Sequence, residues 1–221
     1  MGLFTGNTLY FPGCLTRYKL EGISRNYEEI LKKAGVKFIT LKNLEKCCGI
    51  PAFNAGYPED FYTLVNKNEE LLRNQNVSKI ITNCPSCFRA FNMHYSLKAE
   101  HITKVIFDNL QKFQKKHNEK IAYHDPCELG RKSGIYDEPR AILREIGFEV
   151  VEMASSHVHA MCCGAGGGMR RNAPTVSARV AKLRLKEAHV NKIITTCPLC
   201  YIHLKEHAEG IEVLEFSEVL L

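Results

Sequence analysis

Lys79-Ile-Ile-Thr-Asn-Cys-Pro-Ser-Cys87 and Lys192-Ile-Ile-Thr-Thr-Cys-Pro-Leu-Cys200 are one nine-residue phrase written twice, 113 positions apart. In each copy a short apolar, β-branched run delivers a Cys-Pro-x-Cys element, so a buried strand is expected to hand over to a helix there. Other residues recur at offsets of 112 to 115. Cys14 answers to Cys127, and the adjacent pair Cys47-Cys48-Gly49 answers to Cys162-Cys163-Gly164. Ile30-Leu31 with Gly35 recurs as Ile142-Leu143 with Gly147. Each half therefore holds a single Cys, a Cys-Cys pair and a Cys-x-x-Cys, and this order uses all ten cysteines of the chain. Two copies point to duplication into a pseudo-twofold pair rather than to the three or more units of a solenoid.

Each copy reads as an α/β unit. In the first half, Leu9–Phe11 is a short strand ending at Pro12-Gly13-Cys14. Ile23, Tyr27, Ile30, Leu31 and Ala34 then fall at helical spacing, with Ser24 as a candidate N-cap and Gly35 as the stop. Val36–Leu41 is a β-rich run, Phe61, Leu64, Val65, Leu71 and Leu72 mark a second helix, and Lys79–Thr82 a strand. The second half repeats this with Ile121–Tyr123, a helix after Pro139, Phe148–Val151, a helix around Val176, Val180 and Leu183, and Ile193–Thr195. Alternating strands and helices predict α/β architecture: two domains, 1–116 and 117–221, each with a small, mostly parallel sheet flanked by helices. The lysine-rich stretch 111–120 reads as the solvated connection between them. Cys14, Cys84, Cys127 and Cys197 each follow a predicted strand. Ligand sites of open α/β sheets lie beyond the carboxyl ends of the strands, so one five-cysteine site per half is expected.

Composition narrows the chemistry. The chain has 221 residues, 45% of them apolar and 24% charged, which is a globular balance. Cysteine makes up about 4.5%, short of the roughly 8–10% of a small disulfide scaffold. No apolar run reaches the ~18 residues of a membrane span, and Met1–Phe11 lacks the form of a signal peptide. A cytoplasmic protein is expected, with no membrane span of its own, though one peripheral to a membrane complex fits as well. Reduced thiols clustered in such a chain point to metal or redox chemistry. The net charge of +6 is spread along the sequence, with no basic stripe interleaved with aromatics, which argues against nucleic-acid binding.

Five thiolates per half suit some ligands better than others. Zinc takes four ligands, usually as two Cys-x2-Cys knuckles about 15–20 residues apart, whereas the Cys-x-x-Cys elements here lie in different halves. Zinc on four of five cysteines in one site, structural disulfides, and thioredoxin-like exchange at Cys84–Cys87 or Cys197–Cys200 stay open as alternatives. Soft thiolates select iron–sulfur clusters, and a cubane takes four of them, which leaves one cysteine over in each half. Gly164-Ala-Gly-Gly-Gly-Met169 does not match a dinucleotide fingerprint, and its glycines suit close passage of backbone by a cluster. His124, His157 and His159 lie near Cys127 and Cys162 and are candidate proton donors. His203 and His207 read as helix surface, and Arg170-Arg171 as a solvated turn.

The pattern Cys14…Cys47-Cys48-Gly49…Cys84-Pro-Ser-Cys87, repeated as Cys127…Cys162-Cys163-Gly164…Cys197-Pro-Leu-Cys200, resembles the CCG (cysteine-rich domain) family. That family includes the B and D subunits of heterodisulfide reductase and the iron–sulfur subunits of lactate, glycolate and glycerol-3-phosphate oxidation systems. Tyr123-His-Asp-Pro-Cys-Glu-Leu-Gly-Arg131 and Cys162-Cys-Gly-Ala-Gly-Gly-Gly168 are similar to the heterodisulfide reductase D branch. Cys48-Gly-Ile-Pro-Ala-Phe-Asn-Ala-Gly-Tyr57 is closer to the lactate branch. The resemblance implies two noncubane 4Fe–4S clusters, one on Cys14, Cys47, Cys48, Cys84 and Cys87, the other on Cys127, Cys162, Cys163, Cys197 and Cys200. It implies a redox subunit of a heterodisulfide reductase-like complex, which reduces a disulfide or transfers electrons. The other readings are an electron relay of a flavin-dependent lactate- or glycolate-type dehydrogenase and a zinc-binding structural module. The ferredoxin run Cys-x2-Cys-x2-Cys-x3-Cys-Pro of longer members does not occur in these residues. The expected partners are therefore a ferredoxin-type iron–sulfur subunit, a flavin-bearing subunit, or both, with a disulfide or thiol as substrate.

Overall fold

The repeat folds into two parallel sheets in the computed structural model, which describes residues 6–42, 44–113 and 116–221. The first half runs β1 (Asn7–Tyr10), α1 (Gly13–Lys19), α2 (Glu21–Lys33), α3 (Ile50–Asn54), α4 (Pro58–Asn74), β2 (Val77–Thr82), α5 (Pro85–His94), β3 (Ala99–His101) and α6 (Ile102–Phe107). The second runs β4 (Lys120–His124), α7 (Asp137–Glu145), β5 (Glu149–Val151), α8 (Met169–Asn172), α9 (Pro174–Lys186), β6 (Lys192–Thr195), α10 (Pro198–His207) and β7 (Glu212–Glu215). The sheet orders are β1-β2-β3 and β5-β4-β6-β7, all pairs parallel. Register repeats with sequence: Leu9 and Tyr10 stand opposite Ile80 and Ile81, as Ala122 and Tyr123 stand opposite Ile193 and Ile194. The α/β class with two small parallel sheets is as the pattern of elements predicts.

Several local expectations are corrected. Val36–Leu41 forms no strand; Ile39 alone bridges to Leu9 before the chain turns at Lys42. Its counterpart in the second half is the edge strand β5, and the first sheet lacks that edge. Ser24 is not an N-cap, because α2 begins at Glu21 and the Ser24 amide already bonds to Leu20 O. Gly35 does follow the helix end, with Val36 N bonding back to Leu31 O. The helix around Val176, Val180 and Leu183 exists as α9 but buries a different face, Ser177, Ala181, Arg184 and Leu185, while Val176 and Leu183 are exposed. Within the stretch 111–120, residues 114 and 115 lie outside the described residues.

The core is continuous between the halves. Tyr10, Tyr27, Ile30, Leu31, Ile102 and Ile106 of the first half pack with Ile121, Tyr123, Ile142, Leu143, Phe148 and Phe216 of the second. α2, α6 and α7 supply this layer, each presenting an apolar stripe at i, i+3, i+4 spacing. Burying a large side chain of this kind contributes about 1.5–3 kcal/mol, so the shared layer holds the two sheets in a set relation. One buried polar bond crosses it, Tyr27 Oη donating to Glu215 Oε1 at 2.6 Å. Separate clusters pack behind each sheet: Phe61, Val65, Leu72 and Phe91 in the first half, Met153, Ala181, Leu185 and Leu204 in the second. No helix among the described residues is long and apolar enough to cross a membrane.

Candidate metal centre

The Cys-Pro-x-Cys elements convert strand into helix at the carboxyl edge of each sheet. Cys84 and Cys197 are extended N-cap residues, followed by Pro85 and Pro198 in the first turn, where proline's missing N–H and preset φ suit the helix. Cys87 and Cys200 follow one turn later, on the face that looks back at the strand ends. At Cys197 a bond from Cys200 and the first-turn amides of Cys200 and Leu199 outweigh burial and hold the thiol below its ordinary value. The adjacent pairs arrive by a different device. Gly49 and Gly164 take left-handed backbone, φ 84° and 89°. That turn aims the Gly49 amide at Cys47 Sγ (3.5 Å) and the Gly164 amide at Cys162 Sγ (3.4 Å). A Cβ on Gly164 would stand 2.9 Å from Val180 Cβ and 3.0 Å from Ser177 O, so α9 itself requires glycine there.

Sulfurs that are far apart in sequence meet within each half. Cys87 Sγ lies 3.3 Å from Cys48 Sγ, Cys163 Sγ 3.3 Å from Cys200 Sγ, and Cys14 Sγ 3.8 Å from Cys47 Sγ. All ten cysteines are free thiols. The halves do not form two isolated sites: all ten cysteines line one cleft of about 810 Å³, with Pro51, Tyr57, Gly166–Gly168 and Leu199 among the other walls. Sharing of sulfur protons sorts the thiols. Bonds from Cys47 and Cys87 hold fully buried Cys48 down at about 5. Bonds from Cys127 and Cys163 pull Cys162 down to about 2. Cys87 and Cys127 are pushed up by the sulfurs they donate to, and then by burial.

This donor set fits an iron–sulfur cluster. Five thiols are one more than a zinc tetrahedron takes, and all-thiolate ligation is the chemistry of iron–sulfur centres. The space is cut closely around the sulfurs: a Cβ on Gly13 would come within 2.9 Å of Cys87 Sγ. Behind the first set, Asn68 Nδ2 donates to Cys47 O (2.9 Å) and to Tyr95 Oη (3.0 Å), while Tyr95 Oη donates to Cys48 O (3.1 Å). The Cys47-Cys48 turn is pinned by these neutral groups. Nothing in the local sequence marked Asn68 and Tyr95, which lie 21 and 47 positions from their partners.

The surroundings of the second set are ionic. Arg140 and Asp125 form a buried bidentate pair (2.7 and 2.8 Å), and Arg140 also bonds to Glu152 and lies over the Tyr123 ring at 5.0 Å. Burial raises the Asp125 carboxyl, but Arg140 and the His157 amide outweigh it and hold it below the ordinary carboxylate range. The three candidate histidines separate. His124 is buried at the end of β4, with a ring nitrogen within 4.8 Å of the sulfurs of Cys163 and Cys200. Its Nδ1 accepts from Arg184 Nε at 2.9 Å, and burial followed by the Arg184 charge lowers it to about 3. His157 and His159 sit on the 3-10 turn His157–His159; His157 N donates to Asp125 Oδ2 (2.9 Å), and neither residue lines the cleft. Arg184 escaped sequence reading because an arginine within a helix is ordinarily solvated; its place on the Ser177–Ala181 stripe was the available signal.

Two lesser expectations also change. His203 is not helix surface: it is buried, with Nε2 against Ser177 Oγ (3.0 Å) and Ser177 O (3.2 Å). Arg170, on α8, pairs with Glu206 of α10.

Comparison with known proteins agrees with this geometry. The model of the CCG cysteine-rich domain matches twice, at residues 8–92 and 121–205. An uncharacterized iron–sulfur protein of Methanocaldococcus jannaschii is 33% identical over 204 residues, covering 89% of this chain and 40% of its own length. The D subunit of the dihydromethanophenazine:CoB–CoM heterodisulfide reductase of Methanosarcina barkeri is 31% identical over 223 residues, covering 92% and 54%. The EtfAB:quinone oxidoreductase of Syntrophomonas wolfei is 29% identical over 232 residues, covering 96% and 32%. The chain thus spans about half or less of the length of these relatives.

Proposed function

This chain belongs to the CCG cysteine-rich domain family, and we propose that it is the iron–sulfur redox part of a multisubunit oxidoreductase that reduces a disulfide. One noncubane 4Fe–4S cluster would be held by Cys14, Cys47, Cys48, Cys84 and Cys87, the other by Cys127, Cys162, Cys163, Cys197 and Cys200. The observation that carries the reading is the single cleft lined by both sets. Such clusters, when bound, supply one-electron transfer and an iron open to a substrate sulfur. The protein's own residues do the rest. The strand ends and helix starts fix the sulfurs, the Gly49 and Gly164 amides donate to them, and Pro51, Tyr57 and Leu199 give the cleft apolar walls. Reduction of R–S–S–R′ takes two electrons and two protons and yields two thiols. The electrons come from a partner subunit of ferredoxin or flavin type, the protons from water at the cleft mouth. A cytoplasmic setting, where thiols stay reduced, suits this chemistry.

A second reading is supported by the likeness to an EtfAB:quinone oxidoreductase: the clusters relay electrons from a flavoprotein and bind no substrate sulfur. Anaerobic purification tests the common premise, since two four-iron clusters correspond to about eight iron and eight acid-labile sulfide per chain. Colourless protein holding only zinc overturns both readings. Titration with a disulfide, followed by electron paramagnetic resonance, separates them: a perturbed cluster signal supports reduction, and an unchanged one the relay.

A further inference from the structure

We propose that the two cysteine sets are electronically unequal, and that His124, oriented by Arg184, makes the cluster of the second set the more easily reduced of the two. The proposal rests on the cluster reading above. The closest sulfur contacts and the glycine amides do not distinguish the sets. Cys48–Cys87 and Cys163–Cys200 are both 3.3 Å apart, and each Cys-Cys-Gly turn directs its glycine amide to the first sulfur at 3.4–3.5 Å. What surrounds them differs at matched positions.

Three residues before Cys127 stands His124; three residues before Cys14 stands Phe11. Phe11 is buried edge-on against Phe91, centroids 5.0 Å apart, and brings no donor. His124 brings a ring nitrogen within 4.8 Å of both Cys163 and Cys200 Sγ. A guanidinium only donates, so the bond from Arg184 Nε to His124 Nδ1 places the ring proton on Nε2. Nε2–H is then the one hydrogen-bond donor that the imidazole ring carries beside the second set.

Arg184 has a matched position too. The buried stripe Phe61, Val65, Asn68 of α4 corresponds to Ser177, Ala181, Arg184 of α9, so a neutral amide in one half answers to a guanidinium in the other. Arg184 is fully buried; its Nη1 bonds to Ser155 O at 2.7 Å and pairs with Glu187, and its Nη2 finds no acceptor. A buried donor left unpaired is destabilising, and Cys200 is among the groups whose charge acts on Arg184. Hydrogen bonds to the sulfurs of a cluster stabilise its reduced state and raise its potential. Electrons entering the chain therefore settle on the second set. Arg184 is a positioning residue, which acts by fixing the His124 tautomer.

The test is an anaerobic redox titration of the iron-loaded protein, followed by absorbance and electron paramagnetic resonance. The wild type is expected to show two separate midpoints. H124F, which copies Phe11, is expected to weaken reduction of the higher-potential centre on the order of tenfold, about 59 mV for a one-electron step. The lower midpoint stays in place and iron content is unchanged. R184K keeps the charge but loses the directed Nε bond, and is expected to move the same midpoint the same way by less; it carries the test if H124F does not load iron. A single unsplit midpoint in the wild type, or loaded variants whose midpoints do not move or move together, overturns the inference and leaves the cluster reading standing. Wild type without iron overturns both.

Discussion

Replacing Arg140 by methionine is the most informative perturbation of the fold around the second cysteine set. Arg140 and Asp125 side chains are each 2% exposed, and the pair makes two bonds of 2.7 and 2.8 Å. Methionine fills a comparable volume but leaves Asp125 a buried carboxylate with only the His157 amide for company. Glu152, about one-third exposed, regains water and adds little. Removing one partner of a buried ion pair costs about 3–5 kcal/mol, whereas removing both is often near neutral. R140M is thus expected to lose about 3–5 kcal/mol, and D125N/R140M to recover most of it, with about 1–2 kcal/mol still missing for the lost hydrogen bonds. Asparagine at 125 keeps an acceptor for the His157 amide. The assay is anaerobic urea unfolding followed by far-ultraviolet circular dichroism, with iron per chain measured alongside. Since Asp125 lies two residues before Cys127, R140M is also expected to lose iron from one centre. Loss of less than 1 kcal/mol in R140M, or a double variant no more stable than the single, would refute the reasoning.

Two further outcomes follow from particular residues. Gly164→Ala forces a left-handed non-glycine residue against Val180 and Ser177 O; it should lose about 2–3 kcal/mol and roughly half of the bound iron, which iron and sulfide analysis reads directly. Glu215 is buried, and desolvation raises its carboxyl from 4.5 to about 7 against the bonds from Ser217 and Tyr27. A raised folded-state value means the stabilisation is complete below about 4.5 and lost as pH rises through about 7. Wild type should therefore lose on the order of 3 kcal/mol between pH 5 and 8 from this group, and E215Q should show a flatter profile in urea melts across that range.

The correspondence between expectation and structure follows the range of the interactions. Helices with an unbroken apolar stripe, such as α2 and α4, are legible because burial at i, i+3 and i+4 is written into consecutive turns. β3 (Ala-Glu-His) and β7 (Glu-Val-Leu-Glu) escaped notice because, with Val213 their only β-branched residue, they lack the apolar β-branched run that marks β2 and β6. The buried face of α9 was misjudged for a specific reason. Val176 and Leu183 face solvent, while Ser177 and Val180 lie against Gly164 and Arg184 turns inward to reach His124. A hydrophobic count assigns such a face by residue type, whereas here it is set by the space left beside the sulfurs and by a buried hydrogen bond.

The sequence by itself determined the repeat, the α/β class and the ten sulfurs in two matching sets, because spacing from a strand end to a helix start is a local property of the chain. Proline after Cys84 and Cys197, and glycine after each Cys-Cys pair, carry their conformational meaning wherever they stand. Only the tertiary structure decided that both sets open on one cleft, that α2, α6 and α7 join the halves in one core, and that the second set is backed by Arg140, Asp125, His124 and Arg184 while the first is backed by Asn68 and Tyr95. Those relations depend on how two sheets pack across a shared apolar layer. That packing free energy is summed over residues a hundred positions apart, and no window of sequence contains it.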